Sequence, residues 1–169
     1  MQAVFIIPTQ NLVEQQGTII DLYTNLTVGR YHGGQKNKRY YQDFEAWQAE
    51  MALRDVLVMM AKKFYDLLVH GFIKMEQINL IVIDECHHTD QDHLYNLIMR
   101  DFFFHKFNPT DPDCRRPRVL GLTASPIKQK IESKCVLPDD IEKMLQNLAN
   151  NLYSRYVTIS LEEIKQLEQ

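Results

Sequence analysis

Short apolar runs alternate along this chain with stretches in which apolar residues recur every three or four positions. Ala3 to Ile7, Asp55 to Met60, Ile78 to Ile83 and Arg118 to Pro126 are rich in Val, Ile and Leu and read as strands buried on both faces, as in a parallel sheet, and Leu26 to Tyr31 reads as a short strand. Between them lie helical patterns. Leu12, Ile19, Ile20 and Tyr23 space a helix that Thr9 would cap, and Phe44, Trp47 and Met51 a second over Tyr40 to Leu53. Phe64, Leu67 and Leu68 mark a third, from Ala61 to His70, with Gly71 as its cap. Leu94, Leu97, Ile98 and Phe102 form the inward face of a fourth, from about Asp90 to His105. Asn108 to Pro117 holds three prolines and two aspartates and reads as a surface loop. Pro138 to Tyr153 is amphipathic through Ile141, Leu145, Leu148 and Leu152; Tyr156 to Ile159 then reads as a short strand and Leu161 to Gln169 as a charged helix. Strand and helix in alternation predict an α/β fold, a mainly parallel sheet between two helical layers.

At 169 residues and 45% hydrophobic, the chain can bury one sizeable core. A net charge of -3 gives no global field for nucleic acid, so such binding needs a local patch. Arg30, Lys36, Lys38 and Arg39, interleaved with Tyr31, Tyr40 and Tyr41, are that patch: cations for phosphates beside rings for stacking. A solvated loop is the competing explanation. Three widely spaced cysteines suit a reducing compartment, and no apolar segment is long enough to span a bilayer, so a cytoplasmic location is expected, with the nucleus as the alternative.

The chemistry concentrates where the run Ile78 to Ile83 ends in Asp84-Glu85-Cys86-His87-His88. In open α/β sheets ligands sit beyond the carboxyl ends of the strands. Two adjacent carboxylates there suit phosphoryl transfer, one holding Mg²⁺ and one orienting the attacking water; a strand followed by a solvated polar turn is the plainer alternative. Zinc held by Cys86, His87, His88 and His93 is a rival, but adjacent ligands lack the paired spacing of zinc sites. Gly29 to Lys36 approaches a phosphate loop and fails it, because Gly34 is followed by Gln35 and Lys36 instead of Lys and Ser/Thr.

Three strand ends fit one family. Pro8-Thr9 with Leu12 and Gln15-Gln16, then Asp84 to His88, then Leu122-Thr123-Ala124-Ser125-Pro126, together resemble motifs Ia, II and III of superfamily 2 DExD/H-box helicases. Their spelling is similar to the duplex-RNA-activated branch and, through His70 to Met75 and Arg116-Pro117-Arg118, to Dicer-like proteins. The resemblance implies a three-layer RecA-like lobe, incomplete at its N-terminus, over residues 1–130, with residues 131–169 as a helical extension towards a second lobe. It implies ATP and Mg²⁺ as cofactors, and double-stranded RNA, a second helicase lobe and ribonuclease III domains as partners. By position, Asp84 would hold Mg²⁺ through its waters, Glu85 would polarise the attacking water, and His88 would take the last place of the DExH box. Thr123 and Ser125 would couple nucleotide to RNA, and Thr9, Lys36, Lys38, Arg39 and Lys62 would touch RNA. The family carries threonine and glutamine where this chain has Met60 and Lys62, which puts one phosphate contact in doubt. Its phosphate loop lies upstream of motif Ia, so the isolated chain is expected to lack ATPase activity. A non-catalytic RNA- or partner-binding fragment of the same fold is the alternative function; a different ATPase or nuclease is a third.

Overall fold

The computed structural model describes residues 2–32, 43–88, 93–105, 116–124 and 138–155. Five strands, β1 (Ala3–Ile7), β2 (Val28–Tyr31), β3 (Val56–Met60), β4 (Leu80–Ile83) and β5 (Arg118–Gly121), form one sheet in the order β2-β3-β1-β4-β5. Every pairing is parallel: Val4 lies opposite Leu57 and Ile81, and Ile83 opposite Gly121. The helices are α1 (Gln10–Tyr23), α2 (Phe44–Leu53), α3 (Ala61–Val69), α4 (Leu94–Ile98) and α5 (Pro138–Asn151). This is the α/β layering of a RecA-like lobe.

Alternation along the strands sorts side chains to two faces. Val4, Ile6, Leu57, Met59, Ile81 and Ile83 join the larger core, with Trp47 and Met51 of α2, Phe64 and Leu67 of α3, and Tyr95 and Ile98 of α4. Ile7, Val28, Val56 and Val58 face the other way and meet Val13 of α1. Local chemistry sets the helix ends. Asp43 caps α2 by accepting the N–H groups of Glu45 and Ala46. Gly71 ends α3 at φ 70°, and the N–H of Phe72 reaches back to the Leu67 carbonyl at 2.9 Å. Thr9 sits at the N-cap of α1, but its side chain makes no capping bond.

Several expectations need correction. On α1 the buried positions are Val13 and Gly17, while Ile19 is 40% and Tyr23 83% exposed. The helix turns its Val13–Gly17 stripe to the sheet, with Leu12 and Ile20 packed at its flanks, so the apolar spacing marked the edges of the buried stripe and not its centre. Phe44 is likewise exposed at the start of α2. On α4 the fully buried residues are Tyr95, Ile98, Met99 and Phe103, with Leu94 and Phe102 only partly covered. Beyond Ile98 the helix widens into a π-turn over Met99–Phe104, whose longer repeat brings Phe103 inward where an α-helix would bring Phe102. In β4, Leu80 and Val82 are only half-buried, so this strand is not covered on both faces. β5 departs further: among the described residues it pairs on one flank only, and Leu120 and, just past it, Leu122 are 48% and 41% exposed. Among the described residues no helix is long and apolar enough to cross a membrane. The expected strand Tyr156 to Ile159 and helix Leu161 to Gln169 lie outside the described residues.

Candidate active site at the carboxyl edge of the sheet

Because all five strands run the same way, their carboxyl ends share one edge. Along it stand Lys62 after β3, Thr9 after β1, the acidic pair after β4 and Thr123 after β5. The backbone fixes the acidic turn from both sides. Asp84 N–H donates to the Ile6 carbonyl at 2.9 Å, and Cys86 N–H to that of Leu122 at 2.9 Å. Glu85 has φ 50°, a left-handed conformation uncommon outside glycine, and its N–H donates to Asp84 Oδ1 at 3.0 Å. The chain then closes a 3-10 turn over Cys86–His88, with the His88 N–H on the Glu85 carbonyl at 3.1 Å.

This geometry brings Glu85 and Thr123 to one side chain, His87. Its Nδ1 lies 2.8 Å from Thr123 Oγ1 and 3.2 Å from Glu85 Oε2. A carboxylate can only accept, so the tautomer that fits carries its proton on Nδ1, shared between the two oxygens. Counted from Asp84, His87 and not His88 is the fourth residue of the Asp-Glu-x-His motif. The contacts to Glu85 and Thr123 are made by His87, the neighbour of His88. His88 lies tilted against His87, at 4.1 Å, and stacks on His93, at 5.5 Å between ring centroids. The spelling of the motif was sufficient to find His87, had the count been taken from Asp84.

Buried groups beneath the turn register its charge. Burial first, and then Glu85 and Asp84, push the Cys86 thiol up to about 11, so it stays protonated at neutral pH. Burial and then Asp84, Glu85 and Cys86 push the Tyr95 hydroxyl up as well.

Other expected residues are more scattered. Thr9 is exposed on the same edge, one strand away from the acidic pair. Lys62, two strands away, is exposed and paired with Asp66 at 2.8 Å. Ser125, Lys36, Lys38 and Arg39 lie outside the described residues. Among the described residues, no group of three or more His, Cys, Asp or Glu side chains is arranged to hold a metal directly. The hard carboxylate oxygens of Asp84 and Glu85 do suit Mg²⁺ held through its own waters.

A parallel sheet presenting this acidic turn and its threonine partner at one edge defines the class: a RecA-like helicase lobe. Residues 1–133 match the DEAD/DEAH box helicase family, and the chain belongs to it. It is 37% identical to Endoribonuclease Dicer homolog 1 of Arabidopsis thaliana over 169 residues, which is 100% of this chain and 8% of that protein. Endoribonuclease Dicer homolog 4 of Oryza sativa is 40% identical over 126 residues, 73% of this chain and 7% of the relative. Endoribonuclease Dicer-L of Xenopus laevis is 36% identical over 157 residues, 93% of this chain and 8% of the relative. The chain thus spans under a tenth of the length of these relatives. The crystal structure of the Pyrococcus furiosus Hef helicase domain superposes with a TM-score of 0.67, over 98% of this chain and 31% of that one. At 24% identity this likeness concerns the fold.

Proposed function

We propose that this lobe is the motor half of an ATP-dependent, duplex-RNA-stimulated helicase module in a Dicer-like protein acting in RNA silencing or small-RNA production. The observation that carries the reading is the link from Glu85 through His87 to Thr123, which ties the two strand ends β4 and β5 into one polar unit. A carboxylate that orients water must hold its direction, and the imidazole at 3.2 Å with its Thr123 anchor supplies that hold. Asp84 leaves the same strand one residue earlier, oriented by the Glu85 N–H, and would hold Mg²⁺ through its waters. When bound, Mg²⁺ would neutralise charge on the phosphates. Thr9 and Lys62, with Lys36, Lys38 and Arg39, would meet the RNA backbone along the same edge, and Ser125 would act with Thr123. A second lobe and ribonuclease III domains complete the partnership, in the cytoplasm. Residues 1–130 form the lobe proper, and residues 131–169 lead from it.

The test uses a longer form of the protein that carries a phosphate loop and a second lobe. Glu85→Gln keeps shape and removes the group that orients water, so hydrolysis should fall by at least ~100-fold while ATP and duplex-RNA binding persist. Asp84→Asn should weaken Mg²⁺-dependent nucleotide binding as well as turnover. Normal hydrolysis by Glu85→Gln would sink the assignment.

A further inference from the structure

Tyr95, in the first turn of α4, is 1% exposed, and its hydroxyl has no hydrogen-bond partner among the described residues. Buried hydroxyls are bonded in the great majority of proteins, and leaving one unbonded is costly. Phenylalanine would fill the same volume without that cost. The hydroxyl therefore contributes nothing visible to the resting fold.

Its surroundings lead to the acidic turn. The Tyr95 ring packs edge-on against His93 at 4.6 Å, His93 stacks on His88, and His88 lies tilted against His87, which holds Glu85 and Thr123. The Tyr95 N–H also donates to His93 Nδ1 at 3.3 Å. After burial itself, Asp84 and then Glu85 are the largest influences that keep this phenol protonated, which places both carboxylates within its electrostatic reach. The turn above it is strained, with Glu85 at φ 50°. A residue held in that region is biased to relax once its surroundings change.

We propose that Tyr95 is a positioning residue of the Asp84–Glu85 turn, its hydroxyl donating to an oxygen of that turn in the nucleotide-bound state. It touches no substrate and acts through the two carboxylates. The inference rests on the nucleotide-hydrolysis reading given above.

Tyr95→Phe removes only the hydroxyl, and it is tested in the same longer form of the protein, with duplex RNA present. Because the hydroxyl has no partner among the described residues, the thermal unfolding midpoint should stay level or rise. Turnover should fall roughly tenfold or more, the scale of a hydrogen bond to a charged acceptor. KM for ATP should stay within about twofold, because the bond forms after nucleotide is bound. Unchanged kcat would overturn the assignment. So would a lowered unfolding midpoint accompanied by equal loss of affinity and turnover, which marks a purely structural hydroxyl. Glu85→Gln, measured alongside, separates the two levels. If it is dead while Tyr95→Phe is normal, only the Tyr95 role fails; if it hydrolyses ATP normally, the underlying reading fails first.

Discussion

The two faces of the sheet are unequal. One carries a continuous core that draws on α2, α3, α4, the π-turn after it and Leu152 at the end of α5. The other, among the described residues, holds Ile7, Val13, Val28, Val56 and Val58 under a single helix, α1. Stability follows buried apolar area, so the fold is secured mainly from the first face. The acidic turn is attached to that face through Cys86, which is 3% exposed and packs within it. Phosphate chemistry needs carboxylates held still, and the more densely buried side is where this chain anchors them.

The largest expected effect tests that asymmetry directly. Phe64 is fully buried in the larger core, so Phe64→Ala should cost about 3–5 kcal/mol. Val13 is equally buried under α1, yet Val13→Ala deletes only two carbons, ~1.6 kcal/mol at about 0.8 kcal/mol per methylene before any cavity term. Chemical denaturation of both variants decides the matter. Equal losses, in spite of the smaller deletion at Val13, would mean that the α1 face holds the fold at least as firmly as the larger one.

A smaller effect sharpens the link between core and site. A Cβ on Gly121 would lie 2.7 Å from Leu152 Cδ1 and 2.8 Å from Cys86 Sγ. Gly121→Ala should therefore overpack the space beneath the acidic turn and cost about 1–3 kcal/mol. The matching readout is duplex-RNA-stimulated hydrolysis in the longer protein, which should fall because Cys86 is next to Glu85 in the chain. A destabilised variant with unaltered turnover would show that the turn does not depend on this packing. Asp43→Ala, which removes the α2 cap, should cost about 1 kcal/mol and leave turnover alone.

Much of this was legible in the chain itself, for identifiable reasons. β1, β3 and the end of β4 were readable because a central parallel strand demands an unbroken apolar run. Asp84, Glu85 and Thr123 followed from their places at strand ends. β5 misled, since Val119-Leu120-Gly121-Leu122 looks as buried as any run while the strand has one bonded flank among the described residues. Pairing flank is a property of the sheet and leaves no mark on the strand's own sequence. The burial of Phe103 in place of Phe102 depends on a π-turn, which three consecutive phenylalanines do not announce. Tyr95 was hidden for a similar reason: only the folded environment shows that its hydroxyl is buried with no partner among the described residues.

The smallest effect concerns a charge held within the better-packed face. Lys63 opens onto the Trp47 ring, with its ammonium 5.2 Å from the ring centroid. That contact favours the charged form, but burial disfavours it more, and the pKa falls to about 8. An unfolded lysine titrates near ~10.4, so the folded state binds this proton less tightly than the unfolded chain. The sign follows. Below about pH 8 the folded protein carries an ammonium it holds poorly, and the resulting penalty is fully present. As pH rises from about 8 towards ~10 this penalty is relieved and the Lys63 contribution climbs, while Cys86, raised to about 11, gives up stability above ~9 because the unfolded thiol ionises first. Tyr31 closes the window from above. Burial and Glu50 raise its pKa, so above ~10 the unfolded chain ionises first and stability is lost. Lys63→Met keeps the length of the side chain and removes the charge. It should raise the unfolding midpoint at pH 7 and flatten the climb between about pH 8 and ~10, relative to the unaltered chain. Parallel curves for the two proteins across that window would show that the ammonium is adequately solvated where it sits, and that the larger face tolerates it without cost.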